Sequence, residues 1–471
     1  GHAPSAGSCA TAGMEPAAKQ TRTPAEPYYG GAVIEPDVLA QVPALGHVLA
    51  WASARGGTFD GLRLAIDEYG GTGLFAARDF AAGATLAFVP RACALTAAAA
   101  RASSLGQRIV AAATEWDLLD ECTDELLLCQ FISAGRNDAS CEWHPLLAAM
   151  PAHSPEPCCW PEALRSELDG TPVGLAVSTA VSRMALYAAR LAARLASKGI
   201  ISEAAAAPAS LLWARGMYHS RGYTGRIASL EAAAAAGLPA TDGQADGVLL
   251  PVVDLMNHRH GQQITWLVEA DGVRFVAGEA VSAGEEVCTN YGARPNEELL
   301  FSYGFVLREP AADSVSLVLA QRLAATSAGP AGVSRCTHYV RRAEHGGVPV
   351  SLLRALEDCA APAAGPAEGE EPTAASGEGG EEGTLVLSPD ALELLLAVLR
   401  EKRDALRNSA AADSSAVKKM DRTAGIVPSD VYQRGAVAVY RGGQRHVLKQ
   451  AIAAVRDLLK GVEAAEVEAD G

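Results

Sequence analysis

The sequence predicts an α+β protein in which a β-rich module is split by a long helical insertion and followed by an all-α C-terminal domain. Changes of texture along the 471 residues predict this. Short apolar runs broken by glycine occupy residues 62–90, and helical periodicity takes over from about 98 to 236. Strand texture then returns at 246–290, and helical spacing resumes from 388.

Residues 1–39 are read as a flexible N-terminal segment, because the first 30 are small, polar and proline-containing and stay outside the fold argument. Residues 40–56 read as a helix with Leu45, Val48, Leu49 and Trp51 on one face before Gly56-Gly57. Leu62–Ile66, Leu74–Phe80 and Thr85–Val89 read as strands, punctuated by glycines at 70, 71, 73 and 83 and closed by Pro90. Together these make a first part, 40–97. The insertion, 98–245, carries helical apolar sets such as Leu126–Phe131, then Met184, Tyr187, Leu191 and Leu195, then Leu211–Tyr218. A second strand-rich part, 246–310, holds Gly247–Val253, Ile264–Glu269, Val273–Ala277 and Glu286–Thr289. Residues 311–471 are expected to be helical, with Leu392, Leu395, Leu396 and Leu399, and later Val447, Leu448, Ile452, Val455, Leu458 and Leu459, at helical spacing. The stretch 361–383 lacks bulky apolar residues and is expected to be a disordered acidic linker.

Composition narrows the function. Hydrophobic residues make up 49% of the chain, ample for a large core, although only 5% are aromatic. No apolar run approaches the ~18 residues of a membrane span. The net charge of −16 argues against general nucleic-acid binding, which needs clustered Lys and Arg. Six of those acids (Glu368, Glu370, Glu371, Glu378, Glu381, Glu382) lie in the linker and four (Glu463, Glu466, Glu468, Asp470) in the last nine residues, so the remainder stands at only −6. That remainder does not exclude an acidic protein partner. The 10 cysteines form no C-x-x-C pair and are read as free thiols of a reducing intracellular compartment, chloroplast stroma, cytoplasm or nucleus. A monomer is expected.

Three motifs carry the chemistry. Gly71-Thr-Gly73-Leu-Phe-Ala76 matches the loose dinucleotide pattern, but Thr85–Pro90 reads as another strand where that site needs a helix. A tight glycine turn, where the main chain approaches something closely, fits better. Asp254-Leu-Met-Asn257-His258 places three polar side chains within five residues, yet no further ligand lies at metal-binding spacing, and no metal is expected. Gly284-Glu-Glu-Val-Cys-Thr-Asn290-Tyr291-Gly292 leads into Asn296–Phe305 and reads as a turn, a strand, a bend and a short helix.

In order and spacing, Gly71-x-Gly73, the Arg221 of Ser220-Arg-Gly-Tyr223, Asp254-x-x-Asn257-His258 and Gly284-Glu-Glu…Asn290-Tyr291-Gly292 resemble the SET-domain protein methyltransferases. The likeness is to the subgroup typified by the plant Rubisco large-subunit lysine methyltransferase, which includes the SET-domain actin-histidine methyltransferase. Trp51-Ala-Ser…Gly61, Ala81-Ala-Gly…Val89-Pro90, Trp143-His-Pro-Leu…Met150-Pro151 and Tyr440-Arg-Gly-Gly-Gln-Arg-His-Val-Leu448 extend it over roughly 40–460.

The resemblance implies a split SET-type β-fold, a C-terminal substrate-binding domain, S-adenosyl-L-methionine as methyl donor and a non-histone protein as acceptor. It implies that Gly71, Thr72, Gly73, Leu74, Arg221, Asn257, His258 and Tyr291 bind the cofactor, with Tyr291 catalytic. Tyr223, Asp254 and Tyr303 would face the substrate. Asn257 could offer both donor and acceptor to an adenine edge. Two departures stand out. Gly70 occupies a position where many members carry an acid. Tyr223, two residues past the motif arginine, is aromatic as in lysine-methylating relatives, where the histidine-methylating branch has Asn; lysine is therefore the expected acceptor.

Overall fold

The computed structural model describes residues 31–68, 70–223, 247–323, 332–360, 387–422 and 430–470. The expected linker 361–383 and the end of the insertion, 224–245, lie outside them.

Among the described residues three small sheets carry the β structure. In the first, β1 (Val33–Ile34) lies parallel to β2 (Leu62–Ile66), which pairs antiparallel with β3 (Thr72–Ala76). The cross-strand pairs Leu62–Ala76 and Leu64–Leu74 put four fully buried side chains on one face, the period-two pattern expected of a half-buried sheet. In the second, β4 (Thr85–Pro90) and β5 (Ile264–Val268) flank β6 (Gly272–Ala277), so the segments before and after the insertion share a sheet. Single bridges Phe75–Glu286 and Phe80–Val281 link the two halves again.

The insertion packs helices whose starts the sequence marks plainly. Thr123 caps Asp124–Gly135 and Thr171 caps Pro172–Tyr187, each hydroxyl accepting a first-turn amide, with Pro172 opening the second helix. Leu126 through Ser133 are all buried, as is most of Pro208–Arg221, which packs against them. Between these helices Arg215 pairs with the fully buried Glu156, while Glu125 takes His219 and Arg183. The His219 hydrogen bond above all holds the Glu125 carboxyl down to about 2. This network fixes the helix that ends at Arg221.

Four expectations need correction. Of the expected flexible segment 1–39, residues 1–30 lie outside the described residues and 31–39 are structured: Val33–Ile34 completes the first sheet, Glu35 pairs with Arg63, and Pro36–Gln41 is helical. The strand expected at Leu74–Phe80 ends at Ala76, because the chain then turns out to meet Val281. Gly247–Val253 and Glu286–Thr289 form isolated bridges rather than strands, since their partners, Tyr223, Leu95, Phe75 and His258, lie on four separate segments. The C-terminal domain is not all-α. It opens with a ten-residue antiparallel pair, β7 (Ser314–Leu323) and β8 (Gly332–Arg341), whose alternation sends Val315, Leu317 and Val340 into the domain core.

Among the described residues two hydrophobic cores result, and one helix enters both. Ala436, Val437 and Tyr440 of the helix Asp430–Asp470 belong to the core that begins at Ala32. Val447, Leu448, Ile452 and Val455 lie in the second core with Leu392, Leu395, Leu396 and Leu399. Leu458, expected inside, is 40% exposed, whereas Leu459 packs against the second core. Between the cores Arg441, 2% exposed, bonds Asp413 (2.6 Å) and the Glu167 carbonyl of the insertion, and Arg445 also reaches Asp413.

Glu297 sits in the first turn of the helix Asn296–Tyr303. Ser316 donates to one carboxylate oxygen (2.8 Å) and the other is buried without a partner. Burial pushes this acid up from its ordinary 4.5 to about 7. The folded state therefore keeps a proton that the unfolded chain releases above 4.5, and stability falls as pH rises from about 4.5 to about 7. Glu297→Gln is expected to remove that slope and to gain up to about 3 kcal/mol over the parent above pH 7. Denaturant titrations at pH 5 and 8 check it; parallel pH profiles of both proteins would refute it.

Candidate active site

The β2–β3 turn builds one wall. The Asp67 carboxylate accepts the Gly71 amide (2.8 Å), closing a loop in which Gly70 takes the left-handed φ of +83°. A side chain on Gly71 would meet Asp67, and one on Gly73 would meet Glu286, each at 3.0 Å. The expected close approach is therefore real, but it is to these two carboxylates.

Opposite lies the segment 251–258. Val252 is held at φ +71°, ψ −51°, with the Val253 amide donating to Pro251 O (2.9 Å). This is a γ-turn conformation that costs a β-branched residue about 1–3 kcal/mol. The turn brings Asp254 against Arg221, whose Nη1 donates to Oδ2 at 2.9 Å. Burial pushes the Asp254 carboxyl up and Arg221 opposes the shift. Arg221 keeps further guanidinium donors for a ligand.

Asn257 Nδ2 donates to both Asp67 Oδ2 and Glu286 Oε1, each at 2.8 Å. Both of its protons are thus engaged, and its side chain can only accept from a ligand. A free donor and acceptor pair lies instead on the backbone of the next residue. The Thr289 amide binds Asn257 O and the Arg259 amide binds Thr289 O (2.9 Å each), a parallel bridge that leaves the N–H and C=O of His258 without a backbone partner among the described residues. The His258 ring accepts the Tyr291 amide at Nδ1 (3.1 Å), and burial pushes its pKa down, so it is neutral.

Aromatic rings close the site. Tyr291 stacks on Tyr303 (centroids 4.7 Å) and on His258 (5.0 Å), with Phe305 alongside. The Tyr291 hydroxyl donates to Met256 O (3.0 Å), and burial pushes its pKa far above the ordinary 10.

These walls enclose a cavity of about 500 Å³, lined by Gly71, Thr72, Arg221, Asp254, Asn257, His258, Tyr291 and Tyr303 among others. Three expected site residues fall outside the lining. Gly73 lies against Glu286, and Leu74 is fully buried, with its carbonyl accepting the Val287 amide (2.7 Å). Tyr223 donates to Val253 O (2.7 Å) and sets its ring edgewise against Trp266 and Phe275. Asp67 also lines the cavity; no motif marks it, and its one local signal is an acid four residues before Gly71, in turn context. Tyr432, contributed by the C-terminal helix, also lines the cavity and carried no local signal. Among the described residues no group of three His, Cys, Asp or Glu is arranged to hold a metal ion, and Cys93, Cys122, Cys129, Cys141, Cys158, Cys159 and Cys288 are free thiols. No described helix is long and apolar enough to cross a membrane.

The fold and this cavity define the class. A solved structure of Rubisco LSMT bound to AdoMet matches with a TM-score of 0.63 at 18% identity, over 90% of this chain and 93% of that one. Among curated proteins, the ribosomal lysine N-methyltransferase set10 of Schizosaccharomyces pombe is 37% identical over 82 residues, 17% of this chain and 15% of that protein. The actin-histidine N-methyltransferase of Canis lupus familiaris is 25% identical over 315 residues, 66% of this chain and 49% of that protein. The chain thus spans half or less of the length of these two curated relatives. No protein-family model matches. The chain has the fold of the SET domain of LSMT, and the curated proteins it resembles include a ribosomal lysine N-methyltransferase and an actin-histidine N-methyltransferase.

Proposed function

We propose that the chain is an S-adenosylmethionine-dependent protein-lysine N-methyltransferase acting on a non-histone protein. One observation carries this reading: the unused backbone edge of His258, the Asp254-held Arg221 and the aromatic wall at Tyr291 meet in a single cavity. One N–H and one C=O on His258 complement the N7 acceptor and N6 donor of adenine. The spare donors of Arg221 suit a carboxylate. The Gly70–Thr72 main chain supplies a rim without bulky side chains near the turn. When bound, the cofactor supplies an electrophilic methyl group.

The chain's own residues must then deliver a neutral amine. At pH 7 a lysine with the ordinary pKa of ~10.4 costs about 4–5 kcal/mol to deprotonate. The apolar aromatic wall disfavours the ammonium and reduces that cost. The Tyr291 hydroxyl, its proton engaged by Met256 O, offers lone pairs to an amine N–H and so aims the nitrogen. It is no general base, because burial keeps it protonated. Position 223 supports lysine over histidine only by what it lacks: Tyr223 brings no amide for an imidazole, and it lies outside the cavity lining with its hydroxyl donating to Val253 O. The relatives include both lysine and histidine enzymes, so histidine is the second reading.

The deciding experiment is transfer of labelled methyl groups into a lysate, followed by mass-spectrometric mapping. Methyllysine is expected. Methylhistidine would overturn the acceptor, and no transfer together with no calorimetric binding at millimolar cofactor would leave a protein-binding scaffold. Asn257→Asp is a sharper probe of the cofactor wall, since it sets a third carboxylate against Asp67 and Glu286. Cofactor affinity is expected to fall about tenfold or more, because the added carboxylate repels its two neighbours and the amide that bridged them is lost. Unchanged calorimetric affinity would refute that role.

A further inference from the structure

A second cavity of about 500 Å³ lies next to the first and shares Ala152 and His153 with it. Two arginines line it. The Arg136 guanidinium lies 4.1 Å above the Trp213 ring, and Arg165 comes from the short helix Glu162–Arg165. Among the described residues neither makes an ion pair or hydrogen bond, whereas Arg183, Arg190, Arg215 and Arg221 of the same region are all paired with carboxylates. The one buried acid nearby, Glu156, is held by Arg215.

The cysteines of this cavity cannot supply the missing negative charge. Burial pushes both Cys158 and Cys159 up to about 12, so they are neutral thiols. Burial likewise pushes the Arg136 pKa down, with no carboxylate to offset it. The walls are firm, because Trp213 donates to Pro151 O (2.9 Å) and Trp160 to Pro155 O (2.8 Å). The cavity is therefore a fixed, positively charged recess without an internal counter-ion, opening where the exposed Ala152 and His153 also border the candidate active site. A polypeptide lying across that shared rim has access to both cavities.

We propose that this recess takes the carboxylate of an Asp or Glu side chain flanking the methylated residue, and so selects acidic segments of the protein substrate. The inference rests on the methyltransferase reading above for its substrate, but the charge-binding step can be measured separately. Trp213 lies under Arg136, so its fluorescence reports occupancy without methyl transfer. Titrating the full chain with N-acetyl-glutamate amide is expected to give a saturable change that is lost in Trp213→Phe and weakened about tenfold in Arg136→Gln/Arg165→Gln. Arg165→Gln alone, which leaves Arg136 on Trp213, serves if the double variant does not fold. On arrays of lysine peptides with Glu or Gln at each flanking position, KM is expected to favour Glu at one offset by about tenfold, and the preference to vanish in the arginine variants. An equal preference in parent and variants, or none in the parent, overturns the proposal. So does saturable binding of inorganic phosphate with none of the glutamate amide, which would mark a small-anion site. Arginine-dependent glutamate-amide binding with no peptide methylated would keep the recess as a carboxylate site and refute the methyltransferase reading instead.

Discussion

Tyr291→Phe is expected to lower kcat for methyl transfer about a hundredfold while S-adenosylmethionine still binds. The phenyl ring retains the stacking on Tyr303 and His258, so the cavity wall stays in place. What goes is the oxygen that accepts from the amine. Loss of the bond to Met256 O should cost only about 1 kcal/mol of stability, which cannot account for a hundredfold effect at saturating cofactor. Single-turnover transfer with a titrated cofactor affinity separates the two. Undiminished transfer would remove Tyr291 from the mechanism.

Arg441→Ala should have the largest effect on stability, about 3–5 kcal/mol. The guanidinium is buried and bonds Asp413 and the Glu167 carbonyl, so truncation leaves the Asp413 carboxylate in the interior with only Arg445 opposite. Replacing Arg441 and Asp413 together by apolar residues should cost much less, because no uncompensated charge then remains. Urea denaturation of parent, single and double variants checks both statements. A loss below about 1 kcal/mol in the single variant would show that the network contributes little to holding the cores together.

The parts of this molecule legible in sequence are those whose signal is local. β2, β4, β5 and β6 follow from apolar runs bounded by glycine or proline, and Leu392–Leu399 from helical spacing that tertiary packing did not override. The motif residues Arg221, Asp254, Asn257, His258 and Tyr291 do converge on one cavity. What escaped reading depends on partners distant in the chain. Asn257 looks like a free amide until Asp67 and Glu286, 190 and 29 residues away, engage both its protons. Tyr223 looks like a cavity residue until Val253 O fixes its hydroxyl. The pair β7–β8 was hidden for another reason: few of its residues are core apolar ones (Val315, Leu317 and Val340), and it sits beside a segment of helical texture. The absent acid at Gly70 is a related case, since Asp67 brings a carboxylate to the same turn by reaching back from the loop's start.

The helix that enters both cores also has a consequence for biosynthesis. Tyr432 borders the cavity, and Ala436, Val437 and Tyr440 complete a core whose first member is Ala32. A nascent chain released only as far as Tyr303 has made every motif residue but still lacks part of the wall around them. At about 5–20 residues per second, translation needs on the order of ten seconds more to deliver the rest. During that interval the half-built core exposes apolar surface to chaperones and proteases, and the ribosome holds a chain whose site is unfinished. Maturation of the pocket is thus timed by the emergence of the helix Asp430–Asp470 rather than by the motifs that line it.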